Sequence, residues 1–139
     1  MRKKVIIFIG ISLFFVLLII LSLKGSFPPS FSIGNPSAKD ILEGNPDVDI
    51  LMLDGLIYSE ATNLEWFKES NYTKGSLIGE IKKQTFNPFW YQNFYATNLP
   101  EGSKIYSVSE KEYSKGDAPS IIIVEHNNEI LIYHSLVEG

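Results

Sequence analysis

A chain of 139 residues has room for one compact domain, and the absence of cysteine rules out disulfides, thiolate metal centres and a lipid-modified cysteine, leaving core packing to hold it together. The formal charge of −4 is unevenly spread: Arg2, Lys3, Lys4 and Lys24 flank the first apolar segment, and from Gly25 onward eight lysines and no arginine stand against all sixteen acids, a net −8. Such a body repels nucleic acid and anionic headgroups, whose binding needs dense Lys and Arg, and leaves cations, cationic peptides, neutral sugars and other proteins as partners.

In chain order, a charged tip at residues 1–4 precedes a run from Val5 to Leu23 in which sixteen of nineteen side chains are Val, Ile, Leu or Phe and none is charged. As a helix it would measure about 28 Å, close to the ~30 Å of a bilayer's hydrocarbon. It has no polar face, so a soluble core helix is a poor match. A cleaved signal peptide shares the charged start, but its apolar region is shorter and ends in a small-x-small site, whereas this run continues into LSLKGSFPP. The expectation is a transmembrane anchor over 5–23, N-terminus cytoplasmic and the remainder outside, because basic residues stay on the cytoplasmic side. Gly25 to Ser37, with three prolines, two glycines and four serines, then reads as an irregular stalk.

The segment 38–139 predicts an α+β domain, mainly antiparallel sheet with one or two short helices. Ser37 caps a brief helix that Gly44 and Pro46 stop. Asp54-Gly55 between apolar runs is a two-residue hairpin turn. A helix follows, capped by Thr62 or Asn63, with Leu64 and Phe67 inward and Trp66 nearby. TKGS reads as a turn into a strand, LIGEIKKQ, whose glycine marks a bulge. Pro100-Glu101-Gly102 is a turn before a strand from Lys104 to Val108, and KEYSKGDAP is an exposed loop. The chain closes on a hairpin at Asn127-Asn128, which pairs residues summing to 255; three consecutive isoleucines, Ile121 to Ile123, make both its faces apolar and put it centrally in the sheet.

The stretches NPDVDILMLDGLIYSEATNLEWF, GEIKKQT, ATNLPEGSKIY and IIIVEHNNEILIYHSLVEG resemble a group of small exported proteins of Bacillus-type Gram-positive bacteria. The likeness spans nearly all of the exported portion and implies a shared fold and an envelope location. It carries no activity to any residue, and it does not extend to Phe86–Tyr95.

The motifs of common chemistries are missing. His126 and His134, the only histidines, fall on opposite faces of the last hairpin, so they cannot share a metal there; Asp47, Asp49 and Asp54 do not follow the spacing of a calcium loop. There is no G-x-S-x-G elbow and no cysteine nucleophile. A carboxylate pair able to hydrolyse a substrate is defined by spatial separation that sequence does not give. No catalytic residue, metal or cofactor is therefore assigned.

What remains is FNPFWYQNFY, Phe86 to Tyr95, six aromatic rings in ten positions. Asn87-Pro88 forbids continuous helix or central strand, which makes the stretch a loop or short turn of helix. Three readings compete. Phe86, Trp90 and Phe94 could line one helical face as a lid on the sheet. Phe89, Trp90, Tyr91, Phe94 and Tyr95 could form a surface that docks a protein or stacks on sugars. The rings could instead touch the outer leaflet. The functional expectation is a membrane-anchored extracytoplasmic protein that binds an envelope protein or cell-wall partner and does not catalyse. A small envelope hydrolase, or a secreted interaction protein if the first segment is cleaved, is the alternative; no G-x-x-x-G pattern in the apolar run supports dimerisation.

Overall fold

The structure, a computed structural model, describes residues 11–16, 19, 34–109 and 111–137. The chain divides into two units, residues 1–30 and 31–139. In the first, residues 11–16 and 19 are helical and their apolar side chains are exposed. The rest of the expected span 5–23, the tip 1–4 and the stalk up to residue 33 lie outside the described residues. Among the described residues no helix is long and apolar enough to cross a membrane.

The second unit is an α+β fold. Its elements are helix α1 (Ala38–Gly44), strands β1 (Ile50–Leu53) and β2 (Leu56–Glu60), helix α2 (Glu65–Lys68), strands β3 (Lys74–Glu80) and β4 (Lys83–Gln84), the 3-10 turn η1 (Pro88–Trp90), and strands β5 (Tyr95–Ala96), β6 (Lys104–Val108), β7 (Ile121–His126) and β8 (Glu129–Ser135). The eight strands form one sheet in the order β3-β6-β7-β8-β2-β1-β5-β4. All pairings are antiparallel except β4 with β5. β3 and β4 stand at opposite edges, yet only Ile81 and Lys82 separate them in sequence, so the sheet has to curl until its edges meet. The link is bonded on both sides: the Ile81 amide donates to the Ser103 carbonyl at 2.9 Å, and the Lys82 amide to the Phe94 carbonyl at 2.8 Å.

Alternation along the strands fills the inside of this curl. Leu51, Leu53, Tyr58, Ala96, Ile105, Ile122, Val124 and Tyr133 meet there with Ile81 and Leu99. Outside, α1 covers β1 and β2, packing Ala38 and Leu42 against Ile50 and Ile57. The helix forms where expected: Ser37 and Asp40 exchange the reciprocal bonds of a capping box, which also hold the Asp40 carboxyl below its usual pKa. Phe67 of α2, fully buried, stacks near Tyr72 and His134, with Trp66 over both Phe67 and His134.

The two hairpins match the sequence reading. Asp54 and Gly55 (φ 50° and 79°) and Asn127 and Asn128 (48° and 64°) adopt the left-handed backbone of tight turns, and the last hairpin pairs Ile121 with His134 and His126 with Glu129. β7 is central, between β6 and β8. Three expectations are corrected. The helix after Ala61 is one turn long, its N-cap is Leu64 without a side-chain bond, and Leu64 is exposed; the Thr62 hydroxyl instead accepts the Ile132 amide of β8 at 2.9 Å. TKGS is not a turn, because β3 starts at Lys74; a Cβ on Gly75 would collide with the Ser107 hydroxyl and the Ser109 carbonyl. LIGEIKKQ is split between β3 and β4, although its glycine does sit at a register shift against β6.

Candidate functional site

The parallel pairing of β4 with β5 dictates the next feature. Parallel neighbours need a crossover, and here residues 85–94 leave the sheet and return to lay Tyr95 and Ala96 beside Lys83 and Gln84. That crossover contains five of the six clustered aromatics, and the sixth, Tyr95, opens β5. We call residues 85–95 the strap.

Local polar bonds shape it. The Thr85 hydroxyl accepts the Asn87 amide at 3.1 Å, the Asn87 side chain accepts the Phe89 amide at 3.1 Å, and Pro88 opens the short 3-10 turn. Asn93 accepts the Gly55 amide at 2.9 Å, tying the strap to the first hairpin. Phe94 takes a left-handed φ of 68° while its amide donates to the Met52 carbonyl at 2.7 Å.

The rings then divide. Tyr91 is buried with Ala38, Leu42, Ile50 and Ile57, and its hydroxyl donates to the Ile50 carbonyl at 3.1 Å; burial pushes that phenol well above its ordinary pKa. Phe94 is half-buried against the interior core and lies on Gly79, where a Cβ would strike its ring. Tyr95, also half-buried, packs on the α1 side with its ring edge-on to Tyr91 at 6.4 Å. Phe86, Phe89 and Trp90 face outward, 52%, 66% and 53% exposed.

The lid reading therefore fails: Phe86 and Trp90 are outside and Phe94 inside, because one 3-10 turn and a left-handed residue cannot sustain the i, i+4, i+8 alignment of a helix. The five expected binding residues are not brought together either. Phe89 and Trp90 are presented to solvent, while Tyr91 serves the core and Phe94 and Tyr95 are half taken up by it. Phe86, outside that set, joins the exposed group.

Charge around the strap departs from that of the domain. No Asp or Glu occurs from Ile81 to Pro100, the longest acid-free stretch of an otherwise acidic body, and it carries two lysines. Lys82 lies over the Phe94 ring at 4.8 Å and Lys83 over Tyr95 at 5.8 Å. Ion pairs among the described residues join Lys39 to Glu43 and Lys74 to Glu125, and neither involves Lys82 or Lys83. This window was visible in the sequence and would have drawn Phe86 into the candidate set.

Other constellations are committed to the fold. Asp49 accepts from the Tyr133 hydroxyl at 3.0 Å; burial raises its pKa and Glu60 adds to the rise. Glu60 in turn accepts the Thr62 amide at 2.7 Å. Asp54 accepts the Tyr113 hydroxyl at 2.8 Å and the Ala118 amide at 3.0 Å. Burial and that carboxylate push the Tyr113 phenol up to about 12. The expected exposed loop, residues 111–119, is thus fastened, and a cleft of about 180 Å³ lies between it and β6, lined by Ser107, Val108 and Tyr113 among others. His126 stands 3.4 Å from the Ser103 hydroxyl, whereas His134 lies under Trp66 on the other face of the hairpin.

No protein-family model, no curated protein and no solved structure matches the chain.

Proposed function

We propose that the chain is a single-pass membrane-anchored protein whose extracytoplasmic α+β domain acts by binding rather than catalysis, with Phe86, Phe89 and Trp90 as its contact surface. The observation that carries this reading is the division of the strap. Tyr91, Asn93 and Phe94 fix the backbone, so the three outward rings are presented on a held frame with more than half of each exposed. Large rings presented on a fixed frame lose little side-chain freedom when they are covered, which favours binding. The anchor rests on the uncharged run from Val5 to Leu23 and on the basic residues before it.

Two measurements test it. Alkaline extraction of membranes should leave the full chain in the pellet, and protease added to intact cells should remove the C-terminal domain. A photo-reactive side chain at position 89 should then cross-link in cells, while one at Lys115, on the charged loop, should not. Recovery of the chain in the alkaline supernatant defeats the anchor; equal labelling from both positions defeats the strap as the contact surface.

A further inference from the structure

We infer that the strap's occupant is the membrane surface itself: Phe86, Phe89 and Trp90 seat in the interfacial layer of the outer leaflet, with Lys82 and Lys83 facing anionic headgroups. The inference rests on the anchor proposed above and names what that contact surface touches.

Three observations converge. Proximity comes first. The stalk enters the domain at α1, and η1 packs beside α1 through Tyr91, whose ring contacts the cluster containing Ala38, the helix's first residue. Only residues 24–37 separate the apolar run from that helix. Fourteen residues reach at most about 50 Å when fully extended, which bounds how far that helix can lie from the membrane run proposed above.

Charge comes second. A domain of net −8 is repelled by an anionic leaflet in most orientations. The stretch from Ile81 to Pro100 is its longest without an acid, and Lys82 and Lys83 there lack carboxylate partners among the described residues. Electrostatics therefore favours the strap itself over the acid-bearing surface, which includes the exposed Asp40 and Glu43 of α1. Chemistry comes third: two phenylalanines and a tryptophan exposed on and beside η1, with Lys82 and Lys83 over the neighbouring Phe94 and Tyr95 rings, have the amphipathic make-up that partitions to headgroup depth. A sugar-stacking site would ordinarily set polar side chains among its rings to bind hydroxyls; here the exposed Asn87 and Asn93 already spend their side-chain oxygens on the Phe89 and Gly55 amides.

The chain contains two tryptophans, Trp66 and Trp90, which makes a direct test. The full-length protein is reconstituted in phosphatidylcholine–phosphatidylglycerol vesicles containing lipids with a nitroxide near the headgroup. Trp90 is read in the W66F variant and Trp66 in the W90F variant. Trp90 should be quenched roughly threefold more than Trp66 and emit at shorter wavelength, as expected for a ring at the interface. Adding Phe86→Ser and Phe89→Ser to the W66F protein should reduce that quenching about twofold. Lys82→Gln with Lys83→Gln should reduce it in the mixed vesicles but not in phosphatidylcholine alone.

Equal quenching of the two tryptophans, in vesicles that retain the protein through an alkaline wash, overturns the inference and leaves the anchor standing. Loss of the protein in that wash overturns the anchor and the contact together. A water-exposed Trp90 in the vesicles, with position 89 cross-linking to a protein in cells, assigns the rings to a protein partner and also overturns it.

Discussion

The strap and the 111–119 loop both run outside the sheet, and they are fastened by opposite means. The strap is held largely by rings, with Tyr91 buried beneath α1 and Phe94 against the interior core. The loop is held by polar bonds: Asp54 takes the Tyr113 hydroxyl and the Ala118 amide, Ser107 donates to the Lys111 carbonyl at 2.7 Å, and Tyr58 donates to the Pro119 carbonyl at 2.6 Å. What each leaves over differs accordingly. The loop exposes Lys111, Glu112, Lys115 and Asp117, which water solvates at no cost; the strap exposes three rings, which water does not favour. Leftover charge needs no explanation, and leftover aromatic surface on a fixed frame does.

Substitutions can break that contrast. The largest effect belongs to the strap's anchor: Tyr91→Ala should cost about 3–5 kcal/mol, read as a shift in the urea midpoint, because it opens a cavity between α1 and β1. A loss below about 1 kcal/mol would mean that the strap is not ring-fastened. Next comes the loop's anchor. Asp54→Ala removes an acceptor of two bonds and puts alanine at a φ of 50°, so a loss of about 2–3 kcal/mol is expected. In the milder Asp54→Asn, the Tyr113 phenol should titrate below the wild-type value of about 12, as NMR of its ring would show.

A smaller effect depends on pH. Burial holds the Asp49 carboxyl above its unfolded pKa, so ionising it opposes folding; the cost is absent below about pH 4, the unfolded range, and complete once the pH exceeds the folded value. Asp49→Asn should raise the thermal midpoint at neutral pH, with the gain shrinking toward pH 4. A gain independent of pH would assign the effect to something other than ionisation. The smallest effect sharpens the contrast most: Phe89→Ser should change stability by no more than about 0.5 kcal/mol, since its ring is 66% exposed.

Local chemistry made parts of the fold legible in the sequence. Asp54-Gly55 and Asn127-Asn128 need a backbone few other residues accept, so both turns, and with them the register of the last hairpin, could be read directly. Ser37 ahead of the helix, with Gly44 and Pro46 behind it, marked the first helix in the same way. Failures occurred where a distant partner decided. Thr62 has the chemistry of a cap, yet its hydroxyl serves the Ile132 amide of β8. Gly75 looked like a turn residue, but it is there because Ser107 and Ser109 come too close for a side chain. The strap's division had the same origin: which rings turn inward depends on the return to β5 and on the left-handed Phe94, and no periodicity in FNPFWYQNFY encodes either.

The two-residue join between β3 and β4 carries a consequence for how this chain can vary. Added residues in the 111–119 loop would project into solvent, whereas residues added between Glu80 and Lys83 would lengthen the perimeter of the rolled sheet and slide its seam out of alignment with Ser103 and Phe94. Ile81 and Lys82 act as a gauge of circumference, so sequence drift that preserves this architecture has to keep that spacing even where it rewrites the letters.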